Sequence, residues 1–224
     1  MSHSVRRHLR IEIDAYDAMI RRCIPGYEPM LKVAARELAC VGSGLVLDLG
    51  AGTGALSETI LEAGTASVEL LDVDPEMLAR ARNRLMRFAG RVRFSERSFL
   101  ETLPRCDGVA ASLALHHVPT IGAKRTLYSR IHDALRAGGT FVNADATMPA
   151  EPAARESTWR AWADYMVARG VEEQRAFEHS EEWADEDTYF PLEEELSAFE
   201  SAGFGAECVW REIGMTVVVG RKGA

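Results

Sequence analysis

The sequence predicts an α/β fold in which a doubly wound, mostly parallel sheet carries helices on both faces. The unbroken apolar run Leu45–Leu49 contains a single acid, which is typical of a strand buried on both faces. A glycine-rich turn and a helix follow it directly, as in nucleotide-binding units of such sheets. The alternation of short apolar strands with amphipathic helices then continues to about residue 146.

The remaining elements follow in order. Helices are predicted at about 6–22, 28–40, 55–61, 75–88, 121–135 and 192–202. Strands are predicted at 67–72, 92–95, 107–112 and 140–145. We expect Gly138 and Gly139 to end the helix at 121–135 with a left-handed C-cap. Two final strands, 204–212 and 215–220, meet at Gly214 and form an antiparallel hairpin, which brings the sheet to seven strands.

Residues from about 149 to 191 interrupt this alternation. Two helices are predicted there, at 151–169 and 172–185, and both are rich in aromatic residues. The acidity of the chain is concentrated in this region, because residues 151–212 hold 17 Asp and Glu against 5 Lys and Arg. The insertion is interpreted as a helical cap over the acceptor site. A dimer surface, and hence a homodimer, or ordinary amphipathic helices are the alternatives.

Composition limits the kinds of partner. The net charge of −8 argues against a polyanion held by global attraction. Four unpaired cysteines, no signal peptide and no membrane-spanning apolar run predict a soluble, cytoplasmic protein that binds no membrane. An arginine-rich stretch could form an RNA-binding face, but a solvated helix surface is favoured and no nucleic-acid partner is expected. It comprises Arg80, Arg82, Arg84, Arg87, Arg91, Arg93 and Arg97.

The glycine turn leaves a choice between two nucleotide cofactors. Residues 50–55 fit the loose dinucleotide pattern G-x-G-x-x-(G/A), and Asp72 suits a ribose diol in either case. Asp48 argues against a dinucleotide, because a carboxylate there would repel its pyrophosphate. The same carboxylate could hold the ammonium group of an amino acid. The terminal hairpin also departs from the parallel units expected of a nicotinamide-binding domain.

At this point the sequence resembles the class I S-adenosylmethionine (SAM) dependent methyltransferases of small-molecule type. Residues 48–54 are similar to their motif I, residues 71–78 to their second-strand motif, and residues 135–141 to the segment before their fifth strand. The resemblance runs from about residue 45 to the C-terminus, and is weak in the insertion. By analogy with that family, residues 1–42 would form an N-terminal helical lid and residues 43–224 the SAM-binding domain.

The resemblance implies SAM as the cofactor and methyl transfer to an O or N atom of a small molecule. Its cofactor-binding residues would be Asp48, Gly50, Ala51, Gly52, Gly54, Asp72, Val73, Ser98, Phe99, Leu113 and Tyr27. Ser98 departs from the family pattern, in which an aspartate often binds the adenine amino group. Phe99 could pack on the adenine ring.

Three residues are candidates for a catalytic base. His116 or His117 is preferred, since a neutral imidazole accepts protons near neutral pH, and Asp145 is a weaker candidate. Metal binding is not expected. Neighbouring residues of a strand point to opposite sides, and no Cys, His or carboxylate nearby in the sequence completes a site.

The acceptor is expected between the N-terminal helices and the insertion. Tyr16 on the first side, with Trp159, Trp162 and Tyr165 on the second, would enclose a compact, neutral or cationic molecule. Two other functions stay open. The Pro-Gly-Tyr turn at residues 25–27 is also similar to that of synthases of carboxylated SAM for tRNA modification, and the fold could serve a non-catalytic SAM-binding subunit.

Overall fold

The computed structural model describes residues 13–224, apart from the side chains at positions 13–15, 180, 185 and 186. Seven strands form one sheet: β1 (Leu45–Leu49), β2 (Ser67–Asp72), β3 (Val92–Glu96), β4 (Cys106–Ser112), β5 (Leu135–Ala146), β6 (Gly205–Glu212) and β7 (Met215–Arg221). Their order is β3-β2-β1-β4-β5-β7-β6. The first five strands are parallel, and β7 is antiparallel to both of its neighbours. The predicted fold is confirmed.

Eight described helices surround the sheet: α1 (Ile13–Cys23), α2 (Tyr27–Glu37), α3 (Ala55–Ala63), α4 (Pro75–Arg84), α5 (Ile121–Ala134), α6 (Pro152–Ala168), α7 (Glu173–Glu186) and α8 (Leu192–Ser201). Helix α4 is shorter than predicted, because a 3₁₀ turn at Met86–Arg91 replaces its last turn. The predicted start of the first helix, at residues 6–12, lies outside the described residues.

The predicted glycine C-cap of α5 is wrong. Leu135 leaves the helix in an extended conformation and pairs with Cys106, so that β5 begins at once. Gly138 does have a positive φ of 74°, but it lies inside β5 rather than at the helix end. Gly139 approaches β4 closely, since a Cβ there would lie 3.0 Å from the carbonyl oxygen of Asp107.

The two faces of β1 support separate hydrophobic layers. Val46 belongs to a core built with α1 to α4, α6 and α7, whereas Leu47 and Leu49 face a second core built with α5 and α8. Burial on both faces explains why the strand is almost entirely apolar. The single acid, Asp48, lies at the carboxyl end, where the ligand edge of the sheet begins.

A buried ion pair joins the two helices of the second layer. Lys124 on α5 contacts Glu195 on α8, and the hydroxyl of Tyr128 donates a hydrogen bond of 2.7 Å to the same carboxylate. All three side chains are fully buried. The carboxylate is satisfied from two sides, as a buried charge requires.

The two N-terminal helices have different roles in packing. Helix α2 lies on α3 and on the β5–β7–β6 part of the sheet, and it covers a sheet face. Helix α1 contacts α2 and α6, and Asp17 on it accepts a 2.6 Å hydrogen bond from the hydroxyl of Thr53. Asp17 also pairs with Arg84, so that α1 is fastened to the glycine turn.

Among the residues that the structure describes, no helix combines the length and the apolar character needed to cross a membrane.

Candidate active site

Two cavities adjoin at the carboxyl ends of β1 and β4, where the strand order of the sheet reverses. The first, here called the turn cavity, contains about 790 Å³ of empty space when the open solvent at its mouth is included. Its walls include Tyr16, Tyr27, Asp48, Gly50, Ala51, Gly52, Thr53, Asp72, Val73, Phe99, Leu113 and His117. The second, here called the cap cavity, contains about 460 Å³ of empty space, counted in the same way. Its walls are Tyr16, Ile20, Ile24, Leu113, His116, His117, Ala146, Trp162, Trp183, Asp187 and Tyr189.

The glycine turn forms one wall of the turn cavity because its backbone folds tightly against β2. The N–H groups of Gly50 and Ala51 both donate to the carbonyl of Leu71. Gly50 has a φ of +65°, and a Cβ there would lie 2.7 Å from the Cβ of Ala114. Only glycine combines this dihedral angle with this approach. The turn therefore leaves the space above it open to a ligand.

Two carboxylates face the turn cavity. Asp48 is 1% exposed and accepts a 2.6 Å hydrogen bond from the hydroxyl of Ser57. Burial raises the pKa of Asp48 to about 7, although the Ser57 hydrogen bond opposes the shift. Burial also raises the pKa of Asp72, against the hydrogen bonds that it accepts from the N–H groups of Asp74 and Gly52. A cation placed between them would be strongly favoured.

Two of the predicted cofactor residues do not line the turn cavity. The hydroxyl of Ser98 accepts a 3.1 Å hydrogen bond from the N–H of Leu100, which closes its own loop. Gly54 instead allows α3 to approach the sheet, because a Cβ there would lie 3.3 Å from a methyl group of Leu70. Phe99, next to Ser98, does lie on the cavity wall.

Leu113 stands between the two cavities in a strained conformation. Its φ is +49°, a value that a residue with a Cβ adopts at a cost of about 1–2 kcal/mol. The strand β4 ends just before it, and its N–H donates to the carbonyl of Ala144. Such strain is typical of functional sites, and here it directs the chain into the turn that carries the histidines.

The prediction that His116 and His117 point to opposite sides is wrong. They lie in a 3₁₀ turn, Leu115–His117, rather than in a strand, and their ring centroids are 4.1 Å apart. The carboxylate of Asp187, from the loop after α7, lies 2.9 Å from Nδ1 of His117 and 3.7 Å from Nε2 of His116. Asp187 is 70 residues away in sequence, which is why no local pattern revealed it.

Asp145 holds the ring of His116 in place. Its carboxylate lies 2.6 Å from Nδ1 of His116 and also accepts the backbone N–H groups of Leu115 and His116. Burial lowers the pKa of His116, but the carboxylates of Asp145 and Asp187 outweigh burial and raise it overall. Asp145 lies behind the ring and borders neither cavity, so it does not reach an acceptor directly.

The pKa of His117 is shifted in the opposite direction to that of His116. Burial lowers the pKa of His117, and the neighbouring His116 lowers it further, against the hydrogen bond with Asp187. His117 borders both cavities, whereas His116 borders only the cap cavity. A largely neutral imidazole therefore faces the junction of the two cavities.

Aromatic side chains enclose the cap cavity. Trp162 is 1% exposed and its indole N–H donates a 2.7 Å hydrogen bond to the carbonyl of Cys23. The other two predicted insertion residues lie elsewhere. Trp159 stacks behind Trp162 with ring centroids 5.2 Å apart, and Tyr165 packs under the guanidinium of Arg169. The wall residues Ile20, Ile24, Ala146, Asp187 and Tyr189 were not predicted from the sequence, and Trp183 had no predicted role.

Several residues of the arginine-rich stretch are held by contacts within the chain. Arg84 pairs with Asp17, and Arg87 pairs with Glu58 at 3.0 Å. Arg91 donates to the carbonyl oxygens of Leu61 and Gly64. These contacts give the arginines a structural role.

Residues 46–139 match the family described as a methyltransferase domain. An uncharacterised methyltransferase of Geobacillus kaustophilus is 27% identical over 197 residues, which cover 87% of this chain and 82% of the relative. An O-methyltransferase family protein from Burkholderia thailandensis superposes with a TM-score of 0.69 at 20% identity, covering 95% of this chain and 60% of the other.

A second solved structure carries the cofactor. Human N-acetylserotonin methyltransferase in complex with SAM superposes with a TM-score of 0.58 at 18% identity, covering 100% of this chain and 63% of the other. The family match covers the glycine turn, and the fold agrees across the sheet. Residues 46–139 are therefore similar to a methyltransferase domain, and the chain shares its fold with solved methyltransferases. Other curated relatives are matched over only 24% to 59% of their own length.

The region that matches the family contributes unequally to the two cavities. Residues 46–139 include the glycine turn, Asp72 and both histidines. Helix α1, the cap helices α6 and α7, and Asp187 lie outside it. The turn cavity is thus built mainly from residues inside the matched region, and the cap cavity mainly from residues outside it.

Proposed function

We propose that this protein is a methyltransferase that transfers the methyl group of SAM to an O or N atom of a small molecule held in the cap cavity. One observation carries the proposal: the turn cavity and the cap cavity meet at Tyr16, Leu113 and His117. A sulfonium placed at this junction would face the acceptor directly. Water would be excluded by α1 on one side and by the cap on the other.

The turn cavity suits SAM group by group. The ammonium of the methionine moiety would neutralise Asp48, whose buried carboxylate has a raised pKa in the free protein. The ribose diol would bond to Asp72 at the end of β2, in exchange for the N–H of Gly52 that it now accepts. Val73 and Phe99 offer apolar surface to the adenine.

The cap cavity suits a compact aromatic or apolar acceptor. Most of its wall is aromatic or aliphatic, with Trp162, Trp183 and Ile20 among the contributors. Polar groups concentrate at the histidines and Asp187, and no lysine or arginine is among its described wall residues. A hydroxyl or amine could donate to Asp187, whereas a carboxylate or phosphate would find no cationic partner beyond the histidines.

The chemistry needs little more than alignment. The acceptor atom attacks the methyl carbon, the bond from carbon to sulfur breaks, and demethylated SAM leaves as a neutral thioether. Holding the two reactants in line can lower the barrier by about 7–11 kcal/mol. Of the three predicted bases, His117 is the one at the junction, and its neutral imidazole would take the proton that the acceptor loses. This transfer contributes roughly 10²–10⁴-fold to the rate.

A screen of acceptors for release of demethylated SAM tests the proposal. Phenols, aromatic amines and aliphatic amines should include a substrate, and His117→Ala should lower its turnover at least 100-fold with SAM affinity nearly unchanged. His132→Ala, a histidine of α5 distant from both cavities, is the matched control. A protein that binds SAM but turns over no acceptor would be a binding subunit. Carboxylated SAM in the cofactor extracted from it would identify a synthase.

A further inference from the structure

We propose that His116, His117 and Asp187 bind a divalent transition-metal ion at the floor of the cap cavity. Each offers one ligand atom, and the three atoms lie within 4.8 Å of one another. Two imidazoles and one carboxylate that leave further positions open are typical of Zn²⁺ and Fe²⁺ sites. The proposal uses the proposed function only to name what would fill an open position, namely the acceptor.

The three side chains lie close enough to share one ion. An ion with bonds of about 2.0–2.1 Å in a tetrahedral arrangement separates its ligand atoms by about 3.3 Å. In Asp187, Oδ1 lies 2.9 Å from Nδ1 of His117, and Oδ2 lies 3.7 Å from Nε2 of His116. One ligand atom from each residue falls within 4.8 Å of the other two, so the side chains would close around the ion on binding.

The carboxylate of Asp145, which is not itself a proposed ligand, orients the ring of His116. Asp145 lies 2.6 Å from Nδ1 of His116 and is itself held by the backbone N–H groups of Leu115, His116 and Ala146. This contact favours the proton on Nδ1, so that Nε2 is the nitrogen of His116 left to bind an ion once its own proton is released. Metal-binding histidines are commonly oriented by a carboxylate in this way, which is an observation independent of the three ligands.

Charge and access also fit a cation. Two buried carboxylates, Asp145 and Asp187, flank the two imidazoles. All three ligand residues border the cap cavity, so an open coordination position would face its interior. Soft sulfur ligands are absent from this described cluster and nitrogen predominates, which favours zinc or iron over magnesium or calcium.

Metal binding would also determine whether His117 can act as a base. In the metal-free protein its ring can accept the acceptor's proton. In the metal-bound protein its Nδ1 is a ligand, and the acceptor would lose its proton to solvent because coordination lowers the pKa of a hydroxyl. The two forms would carry out the same overall reaction.

Cobalt titration of the whole chain tests the site without reference to turnover. After removal of metals with a chelator, Co²⁺ should bind at one ion per chain and produce visible absorption bands of a nitrogen-ligated ion. Asp187→Asn and His117→Ala should each weaken Co²⁺ binding at least tenfold, and His132→Ala should leave it unchanged. Mass spectrometry of Zn²⁺-loaded protein provides a second count of bound metal.

The outcomes separate this proposal from the proposed function. Absence of saturable Co²⁺ binding to the wild-type chain, or equal binding by Asp187→Asn, would overturn the metal site. SAM binding and methyl transfer by the same chelator-treated protein would then still support methyl transfer. Conversely, Co²⁺ bands in a protein that fails to bind SAM would preserve the site and refute the proposed function.

Discussion

The turn cavity and the cap cavity are assembled in different ways. The turn cavity is formed largely by short segments that follow parallel strands, and its decisive features are backbone dihedral angles and two carboxylates. The cap cavity is formed by side chains from α1, from the turn after β4, from α6 and α7, and from the loop at Asp187. The backbone geometry of the turn cavity is determined by local sequence, through glycines and strand ends. The side-chain walls of the cap cavity depend on how helices distant in sequence pack together.

The cap should lose the most stability when its central side chain is removed. Trp162 is buried among Trp159, Trp183 and Tyr189, so that Trp162→Ala should lower the free energy of unfolding by about 3–5 kcal/mol. Trp159→Ala, at the half-buried neighbour, is the matched control and should cost clearly less. Chemical denaturation monitored by circular dichroism provides the measurement.

A milder variant then separates packing from ligand contact. Trp162→Phe keeps most of the buried volume and should preserve the fold, while acceptor turnover falls and SAM affinity stays within twofold. If Trp162→Ala proved no more destabilising than Trp159→Ala, the cap core would not be organised around Trp162 as described.

A single methyl group added to a glycine of the turn cavity should lower the stability of the protein. In Gly50→Ala, the positive φ and the contact at 2.7 Å with Ala114 add, and the free energy of unfolding should fall by about 2–5 kcal/mol. Gly52 also has a positive φ, of 53°, but a Cβ there meets nothing within 4 Å, so Gly52→Ala should cost about 1–2 kcal/mol. Thermal and chemical unfolding of the pair measures the difference, and equal losses would show that the contact with Ala114 is unimportant.

SAM affinity should depend on pH through Asp48. Its pKa in the free protein is raised to about 7, whereas the ammonium of SAM favours the carboxylate, so binding releases a proton. Affinity should therefore rise by about tenfold per pH unit between pH 5.5 and 7 and level off above. Stability of the free protein runs the other way, because a raised pKa stabilises the fold below pH 4 and loses that contribution as pH rises to about 7.

Calorimetric titration of SAM across this range measures the slope. Asp48→Asn keeps the shape and the hydrogen bond from Ser57 but cannot titrate. The SAM affinity of this variant should therefore vary with pH only through Asp72. A wild-type profile that is flat, or one that persists in Asp48→Asn, would assign the proton to another group.

The sheet and the turn cavity were largely predictable. Glycines in the pattern of residues 50–54 and an acid at the end of each of the first two strands are local signals, and parallel strand ends meet at one edge. Ser98 does not line the turn cavity, because its hydroxyl closes its own loop, a use that the sequence does not distinguish from cofactor binding. The pairing of Asp187 with both histidines could not be predicted, since it depends on a 3₁₀ turn that brings two adjacent side chains together and on a loop 70 residues away.

One comparison tests the division between the two cavities most directly. SAM is titrated calorimetrically into the wild-type chain, Asp72→Ala and Asp187→Asn, with NADH as the competing nucleotide. The account predicts micromolar SAM binding to the wild type, at least a tenfold loss in Asp72→Ala, a change of less than twofold in Asp187→Asn, and no heat from NADH. Binding of NADH without SAM, or an Asp187→Asn loss as large as that of Asp72→Ala, would contradict it.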